Sequence, residues 1–124
     1  MELAALDLIP RLETVQKPWG WYSDLFRSGD LVLKIIGITP KEMTSYQEHA
    51  QRIETWYVKS GSGIARINDR EYPMTPGTKL SVWLTEKHQM INTGDVELII
   101  YEMQNGICAE SDIIRYNDPY ADRR

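Results

Sequence analysis

The chain has 124 residues, 42% of them hydrophobic and 26% charged. This ordinary globular composition excludes disordered and fibrous classes, and the length points to one domain with a single core that needs no staples. Fourteen Lys and Arg against eighteen Asp and Glu leave a net charge of −4, which argues against nucleic-acid binding but leaves room for a local basic pocket that takes a small anion.

Taken in chain order, the opening stretch from Glu2 to Leu8 has the pattern of one or two amphipathic helical turns, stopped by Pro10. The first sixteen residues carry acids where a secretory signal carries bases, and no apolar run approaches the ~20 residues that span a bilayer. A cytoplasmic protein without a membrane partner is expected. From Val15 onward the signals are strand and turn. Leu31 to Thr39 is rich in β-branched residues, Ile53 to Lys59 alternates, and Gly63 to Ile67 is short and bounded by Asn68-Asp69. Leu80 to Leu84 and Val96 to Met103 follow, separated by Asn92-Thr93-Gly94-Asp95. Short strands spaced by Gly, Pro and Asn turns are the mark of an all-β sandwich or barrel. The gaps hold no helix long enough for parallel crossovers. The one cysteine, Cys108, can form neither an internal disulfide nor a thiolate cluster.

The chain has two histidines. Gln47 and His49 stand two apart, so an extended backbone points both to one face. Glu54 opens the next apolar run, where a tight loop would fold it back beside them. His88 comes much later, within Glu86-Lys87-His88. Brought together, Gln47, His49, Glu54 and His88 offer two imidazoles, a carboxylate and an amide oxygen. That set suits one divalent ion such as Zn, Mn, Fe, Co or Ni. Spacing alone leaves the simpler alternative open, in which the two imidazoles are packed or solvent-facing.

The spacing Lys41-x5-Gln47-x-His49-x4-Glu54-x6-Gly61 resembles the first cupin motif, with lysine for its initial glycine and glutamine for its first histidine. Gly77-x10-His88-x3-Asn92 resembles the second in length. More narrowly, the chain resembles the cupin domain of type II mannose-6-phosphate isomerases. The stretches that carry this are Lys17-Pro18-Trp19-Gly20-Trp21-Tyr22, Gln47-x-His49-x2-Arg52-x-Glu54-x-Trp56, Thr75-Pro76-Gly77, Glu86-Lys87-His88 and the tail from Glu110 to Tyr120. They run from about Val15 to Arg123. The resemblance implies a double-stranded β-helix, the cupin jelly-roll, with Gln47, His49, Glu54 and His88 as metal ligands.

It also implies interconversion of mannose 6-phosphate and fructose 6-phosphate, the metal stabilising an enediolate. The family's cupin domain stands alone or is joined to a guanylyltransferase. Such chemistry needs a base for the carbon-bound proton, and Lys87 and Glu86, flanking His88, are the candidates. The phosphate calls for cations with multiple donors, and the resemblance puts Arg52 and Arg115 toward the pocket. Trp56 is placed to stack on the sugar ring. The departures are Trp83 and Thr85, where the second motif usually has proline and glycine, and Ala50 and Gln51, where further histidines are frequent. Two other readings follow from them: a carbohydrate-binding or regulatory cupin without turnover, and a cupin enzyme with another substrate, such as a dioxygenase. A lone jelly-roll leaves sheet edges exposed, so a homodimer is expected, with the N-terminal segment as the swapped or covering element.

Overall fold

The computed structural model describes residues 13–117. The expected N-terminal helical segment and the end of the tail motif lie outside them. Among the described residues the chain forms β1 (Val15–Lys17), β2 (Gly20–Ser28), β3 (Leu31–Ile38), β4 (Tyr46–His49), β5 (Arg52–Ser60), β6 (Gly63–Ile67), β7 (Arg70–Met74), β8 (Lys79–Val82), β9 (His88–Asn92), β10 (Leu98–Gly106) and β11 (Ile113–Asn117). A 3₁₀ turn at Glu110–Asp112 precedes the last strand. All pairings are antiparallel, in a six-stranded sheet ordered β1-β2-β3-β10-β5-β8 and a five-stranded sheet ordered β11-β4-β9-β6-β7. This is the all-β, two-sheet architecture expected from the strand and turn pattern. Among the described residues, no helix is long and apolar enough to cross a membrane.

The turns follow their residues. Asn68 and Asp69 both adopt positive φ, 50° and 66°, and join β6 to β7 with Ile67 opposite Arg70. A mirror-image two-residue turn demands this conformation, and Asn and Asp tolerate it better than other side chains.

Alternation along the long strands sets the interior. On β5 the inward residues are Arg52, Glu54, Trp56 and Val58, and on β10 they are Leu98, Ile100, Glu102 and Gln104. Each of these strands is therefore apolar at one end and polar at the other. The apolar ends join Ile36, Ile38, Ala65, Ile67, Met74, Val82 and Met90 in one core. The polar ends line a cavity between the sheets. Half of the barrel is filled with hydrocarbon and half is left for chemistry, a division read directly from which positions carry charge on inward parity.

The turn between β1 and β2 separates the two tryptophans near the start. Trp19 lines the cavity and packs against the core. Trp21 lies over Gly37, where an added Cβ would collide with its indole, and its Nε1 donates to Glu97 at 2.6 Å. Gly37→Ala should therefore drive the indole off the strand and break that hydrogen bond, costing about 1–3 kcal/mol as overpacking does. Thermal unfolding would show a lowered Tm, and an unchanged Tm would mean the indole moves freely.

Candidate metal centre

The site is assembled by two short connections. Between β4 and β5 only Ala50 and Gln51 intervene, and the Asp112 carboxylate accepts from both backbone N–H groups, at 3.2 and 2.9 Å. The loop is thereby pinned, and Glu54 returns beside His49. The second connection, residues 83–87, delivers His88 to the start of β9, opposite Gln47. Glu86 accepts from the Trp83 N–H at 2.8 Å, Asn68 accepts from the Lys87 N–H at 3.0 Å, and the Thr85 N–H donates to the His49 carbonyl at 2.8 Å. Thr85 sits at φ 63°, a left-handed conformation that glycine adopts without strain and a β-branched residue does not. The turn thus keeps a glycine-like shape with threonine in it, held by these bonds.

His49, Glu54 and His88 are 2–3% exposed, and one ligand atom from each lies within 4.8 Å of the others. The His88 Nδ1 donates to the Glu86 carbonyl at 2.9 Å. That bond leaves Nε2 as a bare lone pair, 3.7 Å from Glu54 Oε1 and without a hydrogen-bond partner. A backbone carbonyl fixing one imidazole nitrogen while the other faces a carboxylate is the arrangement of a metal-ligating histidine. His49 Nε2 accepts from Arg52 Nη2 at 3.0 Å and lies 3.3 Å from Glu54 Oε2, while its Nδ1 has no partner. Two buried imidazole nitrogens lacking partners are costly in a folded protein unless something else satisfies them. The residues fit a divalent cation, whose N/O donor set this is.

Glu54 is the electrostatic centre. Burial pushes its carboxyl toward the neutral form, but the His49 ring 3.3 Å away and the nearby His88 and Arg52 outweigh this and hold it well below the usual carboxylate range. Arg52 Nε donates to Oε2 at 3.1 Å and Trp56 Nε1 to Oε1 at 3.1 Å. Burial lowers the His88 imidazole, which favours the neutral form that binds metal.

Behind Glu54 stands a second carboxyl group, Glu102. The Trp56 Nε1–H is shared between the two, donating to Glu102 Oε1 at 3.1 Å, and Gln104 donates to Oε2 at 2.7 Å. Burial first, and the negative charge of Glu54 second, push Glu102 up to about 8. Because the folded form holds a proton that the unfolded chain releases near 4.5, the stability gained by protonation is full at acid pH. It is lost as pH rises through about 8. The metal-free protein should accordingly lose Tm from about pH 4.5 to about pH 8 relative to Glu102→Gln, which carries no titrating group there. Parallel Tm curves for the two proteins would contradict this assignment.

The cavity brings together much of the expected set. Gln47, Arg52, Glu54, Trp56, His88 and Arg115 line it, and His49 lies buried at its base beside Glu54 and Arg52. Gln47 Oε1 accepts from the Ser45 hydroxyl at 3.1 Å. Trp56 is 1% exposed and belongs to the core as much as to the site. Lys87 and Glu86 are not brought in. The Lys87 ammonium lies 4.4 Å from the Tyr116 ring centroid, and the Glu86 carboxylate is taken up by Trp83 and Asn68 within the turn. Lining residues missed from sequence include Lys17, Lys34, Glu102 and Gln104. Parity was the available signal. Lys34 lies between inward Val32 and Ile36, and Glu102 and Gln104 continue the inward series of Leu98 and Ile100.

Comparison with known proteins places the fold and the family. The structure is similar to the capsular polysaccharide assembling protein CapF of Staphylococcus aureus, with TM-score 0.78 and 18% identity, covering 86% of this chain and 32% of that one. It is also similar to a cupin-2 domain from Rhodospirillum rubrum, with TM-score 0.71 and 16% identity over 83% of this chain and 79% of that one. The fold is the cupin jelly-roll. Among curated proteins the chain is 32% identical over 121 residues to the alginate biosynthesis protein AlgA of Pseudomonas aeruginosa, covering 93% of this chain and 25% of that protein. It is 27% identical over 111 residues to a mannose-1-phosphate guanylyltransferase of Klebsiella pneumoniae, covering 89% and 24%. The chain thus spans about a quarter of the length of these relatives.

These names overturn the expected assignment as a simple mannose 6-phosphate–fructose 6-phosphate isomerase. They point to guanylyl transfer and polysaccharide biosynthesis, and the structure leaves both expected bases, Lys87 and Glu86, in the turn outside the cavity. A family model described as mannose-6-phosphate isomerase C-terminal matches residues 7–118, and the chain belongs to that family.

Proposed function

We propose that this domain holds one divalent metal ion on His49, Glu54 and His88, with Gln47 beside them, and binds a phosphorylated sugar there in the service of activated-mannose synthesis. The observation that carries this reading is the buried triad, in which the bare His88 Nε2 and the His49 Nε2 lie 3.7 and 3.3 Å from the Glu54 carboxylate. The relatives named for mannose-1-phosphate guanylyl transfer and alginate biosynthesis supply the metabolic setting. When bound, a divalent ion supplies a Lewis acid that orients and polarises an oxygen of the sugar. The chain's own residues do the rest. Arg52 and Trp56 hold the Glu54 carboxylate in place, the core below them excludes water, and Trp19 and Tyr22 offer ring faces along the cavity wall. A cytoplasmic homodimer goes with this reading. The exposed Tyr57 and Met103 on the outer face of the six-stranded sheet, beside Tyr101, are apolar area that a second copy would cover.

The test is calorimetric titration of zinc-loaded protein with mannose 1-phosphate, mannose 6-phosphate and unphosphorylated mannose. Saturable binding of a phosphorylated sugar, lost on metal removal and in His49→Ala, is the expected result. Equal binding of mannose itself, or no binding of any of the three, would contradict the reading.

A further inference from the structure

The expected phosphate ligand, Arg52, is 5% exposed and gives Nε to Glu54 and Nη2 to His49. A phosphate dianion, which takes several charged donors, must therefore draw on other cations of the lining. Strand register shows where they are. On the six-stranded sheet, Trp56 of β5 lies opposite Glu102 of β10, and Glu102 lies opposite Lys34 of β3. On the five-stranded sheet, His88 of β9 lies opposite Gln47 of β4, and Gln47 lies opposite Arg115 of β11. The first row starts at Trp56, two residues along β5 from Glu54, and the second at His88 itself; each ends, two strands away, in a cation. At ~4.8 Å per strand, the backbone of each cation stands ~10 Å from the first residue of its row. Lys17, at the end of β1, joins them on the cavity lining.

The charge balance of the cavity agrees. Its lining includes Lys17, Lys34, Arg52 and Arg115 against the carboxyl groups of Glu54 and Glu102, in a chain whose net charge is −4. Summed over these side chains the lining is net positive even if Glu102 is counted as ionised. A bound divalent ion adds more positive charge. The Lys34 ammonium is held in the wall over the Tyr22 ring, 4.4 Å from its centroid, a placement that keeps a cation beside the cavity rather than loose in solvent. Two lysines supply point charge and an arginine supplies planar paired donors, the combination suited to a phosphate dianion.

We propose that Lys34 and Lys17 on one sheet, with Arg115 on the other, form the subsite for the phosphate group of the ligand, while Arg52 belongs to the metal centre. This rests on the reading of the cavity as a sugar-phosphate site and names the residues that select for the phosphate.

The experiment is titration with inorganic phosphate at low salt, followed by calorimetry, on the full chain in metal-stripped and zinc-loaded forms. Wild type should bind saturably in both. Lys34→Met should weaken binding by about tenfold or more, the effect of losing a charged hydrogen-bond donor. Lys17→Gln should weaken it as well, Lys34→Arg should retain most of it, and Lys59→Met, an exposed lysine of β5, should leave it unchanged. Unaltered affinity in Lys34→Met and Lys17→Gln, or no saturable phosphate binding by wild type, would overturn the subsite. Cobalt binding to the same proteins, read from visible absorption, separates this from the metal centre. If cobalt binds and the lysine variants change nothing, the subsite alone falls. If phosphate binding depends on Lys34 but cobalt does not bind, the subsite stands and the metal reading falls.

Discussion

Arg52→Ala is expected to destabilise the metal-free protein by about 3–5 kcal/mol, the usual consequence of stripping one partner from a buried ion pair. Arg52 and Glu54 are both about 95% buried, and the guanidinium bridges the Glu54 carboxylate and the His49 ring. Without it Glu54 keeps one donor, the Trp56 indole, already shared with Glu102. An ionised group in that position has neither water nor a counter-charge. The variant should respond to metal in a way that a merely structural arginine would not produce. A divalent ion replaces the missing positive charge, so zinc should raise the Tm of Arg52→Ala by more than it raises that of wild type. Urea unfolding of the stripped proteins, then Tm with and without zinc, gives both numbers. If stability is unchanged in Arg52→Ala, then Arg52 does not balance Glu54.

His88→Ala is expected to weaken divalent-metal binding by about 100-fold or more, since losing even an outer partner of a ligand typically costs 10–100-fold. The Nδ1 bond to the Glu86 carbonyl fixes which nitrogen faces inward, and nothing else in the cavity can supply a second imidazole lone pair. Truncation at this position also opens space beside Trp56, whose ring packs edge-on against His88 at 5.7 Å. His88→Gln, closer in volume, is the companion variant that separates lost coordination from lost packing. A competition titration against a chromophoric chelator would measure both. Unchanged affinity in both variants would remove His88 from the ligand set.

The triad was legible because its signals are local. His49 and Glu54 are joined by a two-residue loop, and a reader of the sequence can fold that loop by hand. His88 needed the family spacing, because no rule of local structure says that β9 pairs with β4. The strands themselves were recognisable wherever β-branched residues alternate, as in β3, β5, β6 and β10. The observed limits differ at the ends; Leu80 to Leu84, for example, became Lys79–Val82, because Trp83 and Leu84 turn outward and are exposed. Short polar strands carry no such pattern: β4 is legible only from the Gln47–His49 spacing, and β11 is not marked as a strand at all. The cationic end of the cavity was hidden for a different reason. Lys34, Glu102 and Trp56 are far apart in the chain and meet only through register across three strands. The two candidate bases flanking His88 failed on turn geometry. Glu86 is needed to close the turn, and Lys87 points away from the cavity toward Tyr116.

The proposed function depends on one proposition, that His49, Glu54 and His88 hold a metal ion. Metal-stripped protein titrated with cobalt, followed by its visible absorption, tests it. Saturation at one ion per chain is expected, with the bands lost in Glu54→Gln and His88→Ala and kept in Lys87→Ala. No saturable binding by wild type, or bands that survive in Glu54→Gln and His88→Ala, would contradict it.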